Sequence, residues 1–327
     1  MEEFQDWPGT HPAAGDTYRS LFSRLGEGIV ILKPDKEEAE WWAGAPSVVR
    51  DGQGTFWMAC RMRTADSPRG LRGYEIRFLK SRDGIHFEVV GGIRRDQVPI
   101  PGFERPAILI DPETSLFKLY GCGPWKDGPW AIIKWKDAPG LDAIDPGSAY
   151  PVIQSIPKRY PRDILPEEYK DPFIFFTGGE FHCHVIGYMR RTERIYHWAS
   201  SDGEIWKPVG RPEESVMNLD GWHDFFVRPA CVVPLGIGYL FVYEGSSTTW
   251  YDPVYNVATG LGFTFDLHRV IDLTPDSPLA ASPTPGDLFG TFRYSHWLRV
   301  EEEMWIYAEV ACPNQTNEIR LFRVPMR

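Results

Sequence analysis

From about residue 40 to the C-terminus, one pattern of polar and apolar positions recurs. A polar residue, usually with Pro after it, opens an apolar strand-like run. A turn and a second, aromatic-rich run follow. The heads read Ala45-Pro46-Ser47-Val48-Val49, Arg105-Pro106-Ala107-Ile108-Leu109, Asp171-Pro172-Phe173-Ile174-Phe175 and Arg228-Pro229-Ala230-Cys231-Val232. A looser fifth is Tyr294-Ser295-His296-Trp297-Leu298. Successive heads are 60, 66, 57 and 66 residues apart, counting Pro46, Pro106, Pro172, Pro229 and Ser295. Return strands are expected over 55–61, 116–121, 180–188, 238–244 and 304–310. The turns between them (Asp51-Gly52-Gln53-Gly54, Asp111-Pro112-Glu113-Thr114, Thr177-Gly178-Gly179) carry residues that favour tight reversals. Ser81-Arg82-Asp83-Gly84-Ile85-His86-Phe87 matches Ser200-Ser201-Asp202-Gly203-Glu204-Ile205-Trp206, 119 residues on, about two repeats.

Units of about 60 residues with four short strands are propeller blades. The pattern therefore predicts an all-β, five-bladed β-propeller over residues 40–327. Residues 1–39 would form an N-terminal extension, with a short helix over 14–25 and a ring-closing strand over 28–33. Proline at a strand start is tolerated because its missing N–H need not enter the ladder.

In antiparallel pairs, the start of each first strand lies beside the end of its return strand. One mouth of the ring should then collect Ala45, Glu104, Arg105, Asp171, Arg228 and His296 with Arg61, Arg63, Glu244 and Glu309. Nearby loops add Trp41, Trp42, Trp125, Trp222, His223, Asp224, Trp250 and Tyr251. Carboxyls and arginines with aromatic walls suit a sugar, whose hydroxyls need hydrogen bonds and whose ring faces stack. Each residue also has a plainer reading. Asp171 could shape a turn, Glu104 and Arg105 could form a local ion pair, and Glu244 or Glu309 could face solvent. His296 could be structural, and most tryptophans could be core. His182 and His184 share a strand face, but no third metal ligand is evident.

Composition narrows the field. Of 327 residues, 14% are aromatic, including 13 Trp, which strengthens the stacking argument. A net charge of −10 argues against nucleic acid and anionic membranes as partners. No apolar run approaches the ~18–20 residues that span a bilayer. The acidic, polar first ten residues do not read as a signal peptide, so a cytoplasmic location is expected. The five cysteines are scattered and read as small core residues.

The Pro-headed strands, the Ser-x-Asp-Gly-x-x-aromatic motif and the Lys170-Asp171-Pro172 head resemble glycoside hydrolase family 43 and its five-bladed relatives, families 32, 117 and 130. That resemblance implies a base Asp on the first blade, an orienting Asp on the third and an acid Glu on the fourth. Asp171 matches the third-blade position, but the first holds Ala45 and the fourth Val227-Arg228. His296 is similar to the fifth-blade His that often helps hold a central cation, so no cofactor is expected beyond a structural Ca2+ at the axis. Phe103-Glu104-Arg105-Pro106 distantly resembles the Glu-Asp-Pro-Arg stretch of family 130 phosphorylases, with Arg105 in place of its Asp.

The expected function is an inverting glycosidase acting on a small carbohydrate. Asp171 would orient or act as base and Glu244 would be the acid, with Glu104 a further catalytic candidate. Arg61, Arg105, Arg228, Trp42, Trp222, His223, Asp224, Trp250, His296 and Glu309 would bind substrate. The three arginines hint at an anionic group. The alternatives are a non-catalytic sugar-binding propeller, and a phosphorylase or lyase on the same scaffold. Sugar, linkage and oligomeric state are not specified by the sequence.

Overall fold

The computed structural model describes residues 26–158 and 164–326. The helix expected over 14–25 lies outside them. The described chain is all-β, with no α-helix and only single 3-10 turns between strands. Its strands are, in order, β1 (Ile29–Leu32), β2 (Trp42–Arg50), β3 (Phe56–Arg63), β4 (Gly73–Ser81) and β5 (Glu88–Arg94). Next come β6 (Ala107–Ile110), β7 (Phe117–Pro124), β8 (Trp130–Lys134), β9 (Tyr150–Ile153), β10 (Glu168–Thr177), β11 (Glu180–Met189), β12 (Thr192–Ser200) and β13 (Lys207–Pro208). The last are β14 (Phe226–Pro234), β15 (Tyr239–Ser246), β16 (Ala258–Thr264), β17 (Ile271–Asp272), β18 (Phe292–Val300), β19 (Glu303–Ala311) and β20 (Asn317–Pro325).

Three antiparallel sheets follow chain order, β6-β7-β8-β9, β10-β11-β12-β13 and β14-β15-β16-β17. An eight-stranded sheet runs β18-β19-β20-β2-β3-β4-β5, with β1 also paired to β20. Its two halves meet at a single parallel pair, Trp42 with Asn317. Strands β2, β6, β10, β14 and β18 touch one another in that order, and β18 returns to β2.

Apolar residues fill the spaces between consecutive sheets. Trp57 meets Phe117 edge to face at 5.2 Å, within a cluster that includes Ile133 and Trp135. Tyr120 and Cys122 pack with Ile174 and Cys183. At the closure, Phe56 stacks on Trp305 at 5.6 Å, and Met58 packs with Tyr307. Burying each such side chain is worth about 1.5–3 kcal/mol, so the core is distributed around the ring rather than central.

Pro106 stands just before β6, but the other three prolines do not start strands as the sequence suggested. Pro46, Pro172 and Pro229 sit inside β2, β10 and β14, where the pairing register slips between Gly44 and Ser47, Lys170 and Phe173, and Pro229 and Cys231. β18 slips likewise between Arg293 and His296. A bulge leaves a residue out of the ladder, so a missing N–H there sacrifices no bond, and the bulge re-aims neighbouring side chains. Ala45, Asp171 and Tyr294 take φ of 50°, 53° and 51° at these slips. Such left-handed backbone in non-glycine residues persists where surrounding structure enforces it, often at functional sites.

Candidate functional site

The bulged ends of the first strands and the ends of the return strands converge. Register pairs Arg228 with Glu244 and Arg293 with Glu309. Asp171, Glu244, Glu309, Arg61, Arg63, Arg105, Arg228 and Arg293 are all at most 4% exposed. This is a dense buried polar cluster, and most of its members are constrained by their partners.

Asp171 Oδ1 accepts the backbone N–H of Arg105 at 3.1 Å, and Oδ2 accepts the Tyr294 hydroxyl at 2.9 Å. Cys122 sits against it, with the Asp171 N–H donating to the sulfur at 3.1 Å. Burial, reinforced by the Asp171 charge, raises the Cys122 thiol far above its usual range and keeps it a neutral packing group.

Tyr294 also ties Asp171 to Glu244, because its backbone N–H donates to Glu244 Oε1. Among the described residues, Glu244 Oε2 has no hydrogen-bond partner. Burial pushes the Glu244 carboxyl up to about 7, against the opposing pull of Arg105, Arg228 and Arg293.

Glu309 is placed differently. Oε1 accepts from Arg293 Nη2 at 2.7 Å and Asn317 Nδ2 at 2.7 Å. Oε2 accepts from Arg61 Nη2 at 3.0 Å and the Ala45 N–H at 3.1 Å. Burial would raise this carboxyl, but Arg293 and Arg61 outweigh it and hold the group below the ordinary range. Gly44 makes room for it, since a Cβ there would lie 1.8 Å from Glu309 Oε2.

The arginines are mostly committed. Arg61 bonds Glu104 as well as Glu309, so Glu104 pairs with Arg61 and not with adjacent Arg105. Arg228 bonds Glu193 at 2.5 Å, and Lys170 holds the same carboxyl. Burial opposes the Glu193 charge, but Arg228 and Lys170 take it down to about 2. Arg105 crosses to β14, where its guanidinium donates to the Pro229 carbonyl at 2.7 Å and to the Ala230 carbonyl.

The other predicted residues have contacts of their own, and Trp42 borders the cluster. Trp222 stacks between Tyr243 (5.8 Å) and Trp250 (6.0 Å) and bonds the Thr274 carbonyl. His223 bonds Asp272 at 3.0 Å, and Asp224 caps the loop at Thr248. Trp42 is buried with Tyr255 and Phe289, although Arg63 and Arg293 lie over its ring at 4.3 and 5.1 Å. His296 lines an apolar concavity of about 410 Å³ with Val48, Ile108, Ile174, Val232 and Trp297, formed by the later halves of the first strands. Burial, helped by Arg105, lowers its imidazole to about 3.

These residues do not fit an axial Ca2+. A hard cation needs several oxygen ligands. His296 faces apolar side chains, and the carbonyls of Pro229 and Ala230 are already taken by the Arg105 guanidinium. Among the described residues, no group of three His, Cys, Asp or Glu could hold a metal ion.

Sequence reasoning missed Tyr294, Arg293 and Glu193 as members of the cluster. Tyr294 was signalled, since it occupies the fifth head at the place of Asp171 in the third. Glu193 comes from β12, a third strand, where no motif marks it.

No protein-family model matches the sequence, and no curated protein matches it. Solved structures do. A glycoside hydrolase superposes with a TM-score of 0.66 at 12% identity, over 94% of this chain and 94% of that one. A glycosyl hydrolase from Bacteroides ovatus gives 0.65 at 14%, over 94% and 96%. The β-1,2-mannobiose phosphorylase from Listeria innocua, in complex with β-1,2-mannobiose, gives 0.63 at 12%, over 90% and 94%. The chain has the all-β propeller fold of these carbohydrate-active enzymes, with a divergent sequence. Among the described residues no helix is long and apolar enough to cross a membrane.

Proposed function

We propose that the chain is a glycoside hydrolase on a five-bladed propeller, with Glu244 as proton donor and Asp171 as base or orienting group. The closed cycle of β2, β6, β10, β14 and β18 supports five blades, with β1 completing the last around β20. The observation that carries the chemistry is Glu244. It is a fully buried carboxyl with one oxygen unpartnered, held at about 7 and tied through Tyr294 to a second carboxyl.

A glycosidic acid must hold its proton near neutral pH and release it as the bond breaks. In this reading Glu244 Oε2–H protonates the leaving oxygen as the anomeric carbon–oxygen bond cleaves. Water adds to the anomeric carbon from the opposite face and gives its proton to Asp171, which inverts the configuration. Asp171 retains lone pairs for this, since an ionised carboxyl offers about four acceptor sites. Five buried, free cysteines favour a reducing, cytoplasmic setting.

The test is hydrolysis of a panel of aryl glycosides and oligosaccharides, with and without phosphate. Turnover is expected, and Glu244→Gln and Asp171→Asn should each lower it by about 10²–10⁴-fold. The rate should fall as pH rises through about 7, as Glu244 loses its proton. A phosphate requirement would move the reaction to phosphorolysis. A second reading, sugar binding without cleavage, is favoured by Ala45 and Arg228 standing where the resemblance puts carboxylates. Sugar binding with no turnover across the panel would select it.

A further inference from the structure

Five guanidiniums are buried at the ring mouth, and four have fixed partners. Arg61 and Arg293 hold Glu309, Arg228 holds Glu193, and Arg105 holds two carbonyls. Arg63 is the exception. It is 1% exposed, and no carboxylate among the described residues is within ion-pair distance of it. Its one hydrogen bond is a long one, 3.4 Å, to the Tyr255 hydroxyl, and its Nε has none. Its guanidinium lies over Trp42 at 4.3 Å and over Tyr255 at 5.1 Å. Glu40, on the approach to β2, is already held by Arg72 at 3.1 Å and Arg69 at 3.6 Å. Burial, with Arg61 and Arg293 nearby, pushes the Arg63 guanidinium down to about 9.

A buried, unpaired cation is strongly unfavourable unless something neutralises it. Here the neighbouring cations add repulsion, and every nearby carboxylate is taken. We propose that Arg63 is the anchor of an anion subsite between Trp42 and Tyr255, binding a carboxylate or phosphate group brought by the ligand. A planar guanidinium braced on an indole face suits such a group, because it offers two parallel N–H donors in a fixed plane. Between solvent and the Tyr255 ring stands Arg69, which is 55% exposed, bonds Asp252 at 2.8 Å and Glu40 at 3.6 Å, and lies 5.0 Å from that ring. Exposed ion pairs of this kind are weak and part readily. The arginines singled out from sequence, Arg61, Arg105 and Arg228, are therefore not the anion binders, since each is occupied. That the anion belongs to a sugar substrate rests on the glycosidase reading; that Arg63 binds an anion does not.

The test is calorimetry at neutral pH with inorganic phosphate, with glucuronate and galacturonate, and with glucose and galactose as neutral controls. Wild type, Arg63→Gln and, as a surface control, Gly52→Ala are compared at fixed ionic strength. Phosphate or a uronate should bind wild type and Gly52→Ala alike, and bind Arg63→Gln about 10–100-fold more weakly, the worth of a charge-assisted bond. Neutral sugars should not respond to Arg63→Gln. Uronate binding alone identifies an acidic sugar, and phosphate binding alone identifies phosphate. Because Arg63 lacks a carboxylate partner, unliganded Arg63→Gln should be at least as stable as wild type. Should that variant not fold, the wild-type Tm in phosphate or uronate against equimolar chloride decides, and no rise overturns the proposal. Equal anion binding by wild type and Arg63→Gln also overturns it. Hydrolysis of neutral glycosides without anion binding removes the anion subsite alone. Anion binding without any hydrolysis removes the glycosidase reading alone.

Discussion

Glu244 is ionised more reluctantly in the folded chain than it would be unfolded. Its carboxyl moves from an ordinary 4.5 to about 7 because burial outweighs the attraction of Arg105, Arg228 and Arg293. A group whose folded pKa is raised contributes stability that is present below the unfolded pKa and is lost as pH rises through the folded one. From about pH 4.5 to 7 the chain should lose on the order of 3 kcal/mol from this residue, at about 1.4 kcal/mol per pH unit. Glu244→Gln removes the titration. In urea denaturation it should match wild type near pH 4 and exceed it by about 3 kcal/mol at pH 8. Equal stability of the two at pH 8 would show that Glu244 ionises without penalty, and would remove its claim to be the acid. Glu193 and Glu309 act in the opposite sense. Their folded pKa values are depressed, so their contribution is present at neutral pH and is lost as pH falls below the ordinary carboxyl range.

At the scale of elements, the Ser-x-Asp-Gly turns fix one sheet to the next and the two halves of the eight-stranded sheet to one another. In one, Ser200 Oγ accepts the Gly203 N–H, Asp202 accepts the next two N–H groups, and the Gly203 carbonyl receives the Tyr120 hydroxyl from β7 at 2.7 Å. In the other, Tyr307 from β19 donates to the Gly84 carbonyl at 2.7 Å. Gly203 has φ of 74°, and a Cβ there would lie 2.7 Å from the Tyr120 oxygen. Gly203→Ala should therefore lose about 1–2 kcal/mol in urea denaturation. Gly52→Ala, with nothing within 4 Å and no positive φ, should be neutral. Loss at both positions or at neither would mean that the turn geometry is not what matters. These turns also show what the sequence could and could not reveal. Two copies were readable because Asp and Gly hold fixed places. A third, Thr264 to His268, was not, because Leu267 takes the glycine's place at φ of 63°. Its carbonyl receives His184 Nε2 at 2.7 Å, so His184 stands where the tyrosines stand, and the metal-like His182–His184 spacing is accounted for by packing. The first and return strands were legible because apolar period and turn chemistry agree there. The bulges were not, since register depends on neighbouring strands rather than on local residues. For the site, Asp171 and Glu244 could be picked out as acids in apolar runs. The commitment of Arg228 to Glu193 could not, because it joins residues 35 apart across two sheets.

For the whole molecule, the question is what holds the sheets of the propeller together. Arg105 reaches four of them. It leaves the loop before β6, its N–H bonds Asp171 on β10, and its guanidinium bonds two carbonyls of β14. The same guanidinium lies 5.8 Å from the ring of Tyr294 on β18. A cation gathering backbone carbonyls at the axis is the arrangement a bound metal would give, supplied here by a side chain. Arg105→Met keeps most of the length and removes the donors, leaving the Pro229 and Ala230 carbonyls buried without partners. Each unsatisfied acceptor costs about 1–3 kcal/mol, so the variant should lose about 3 kcal/mol or more in chemical denaturation. Wild-type Tm should be unchanged by EDTA or by millimolar Ca2+, because no place is left for the ion where the guanidinium sits. An EDTA-induced fall in wild-type Tm would put a metal in the ring after all. An Arg105→Met chain as stable as wild type would leave the inter-sheet apolar clusters as sufficient closure and reduce Arg105 to an electrostatic neighbour of Glu244.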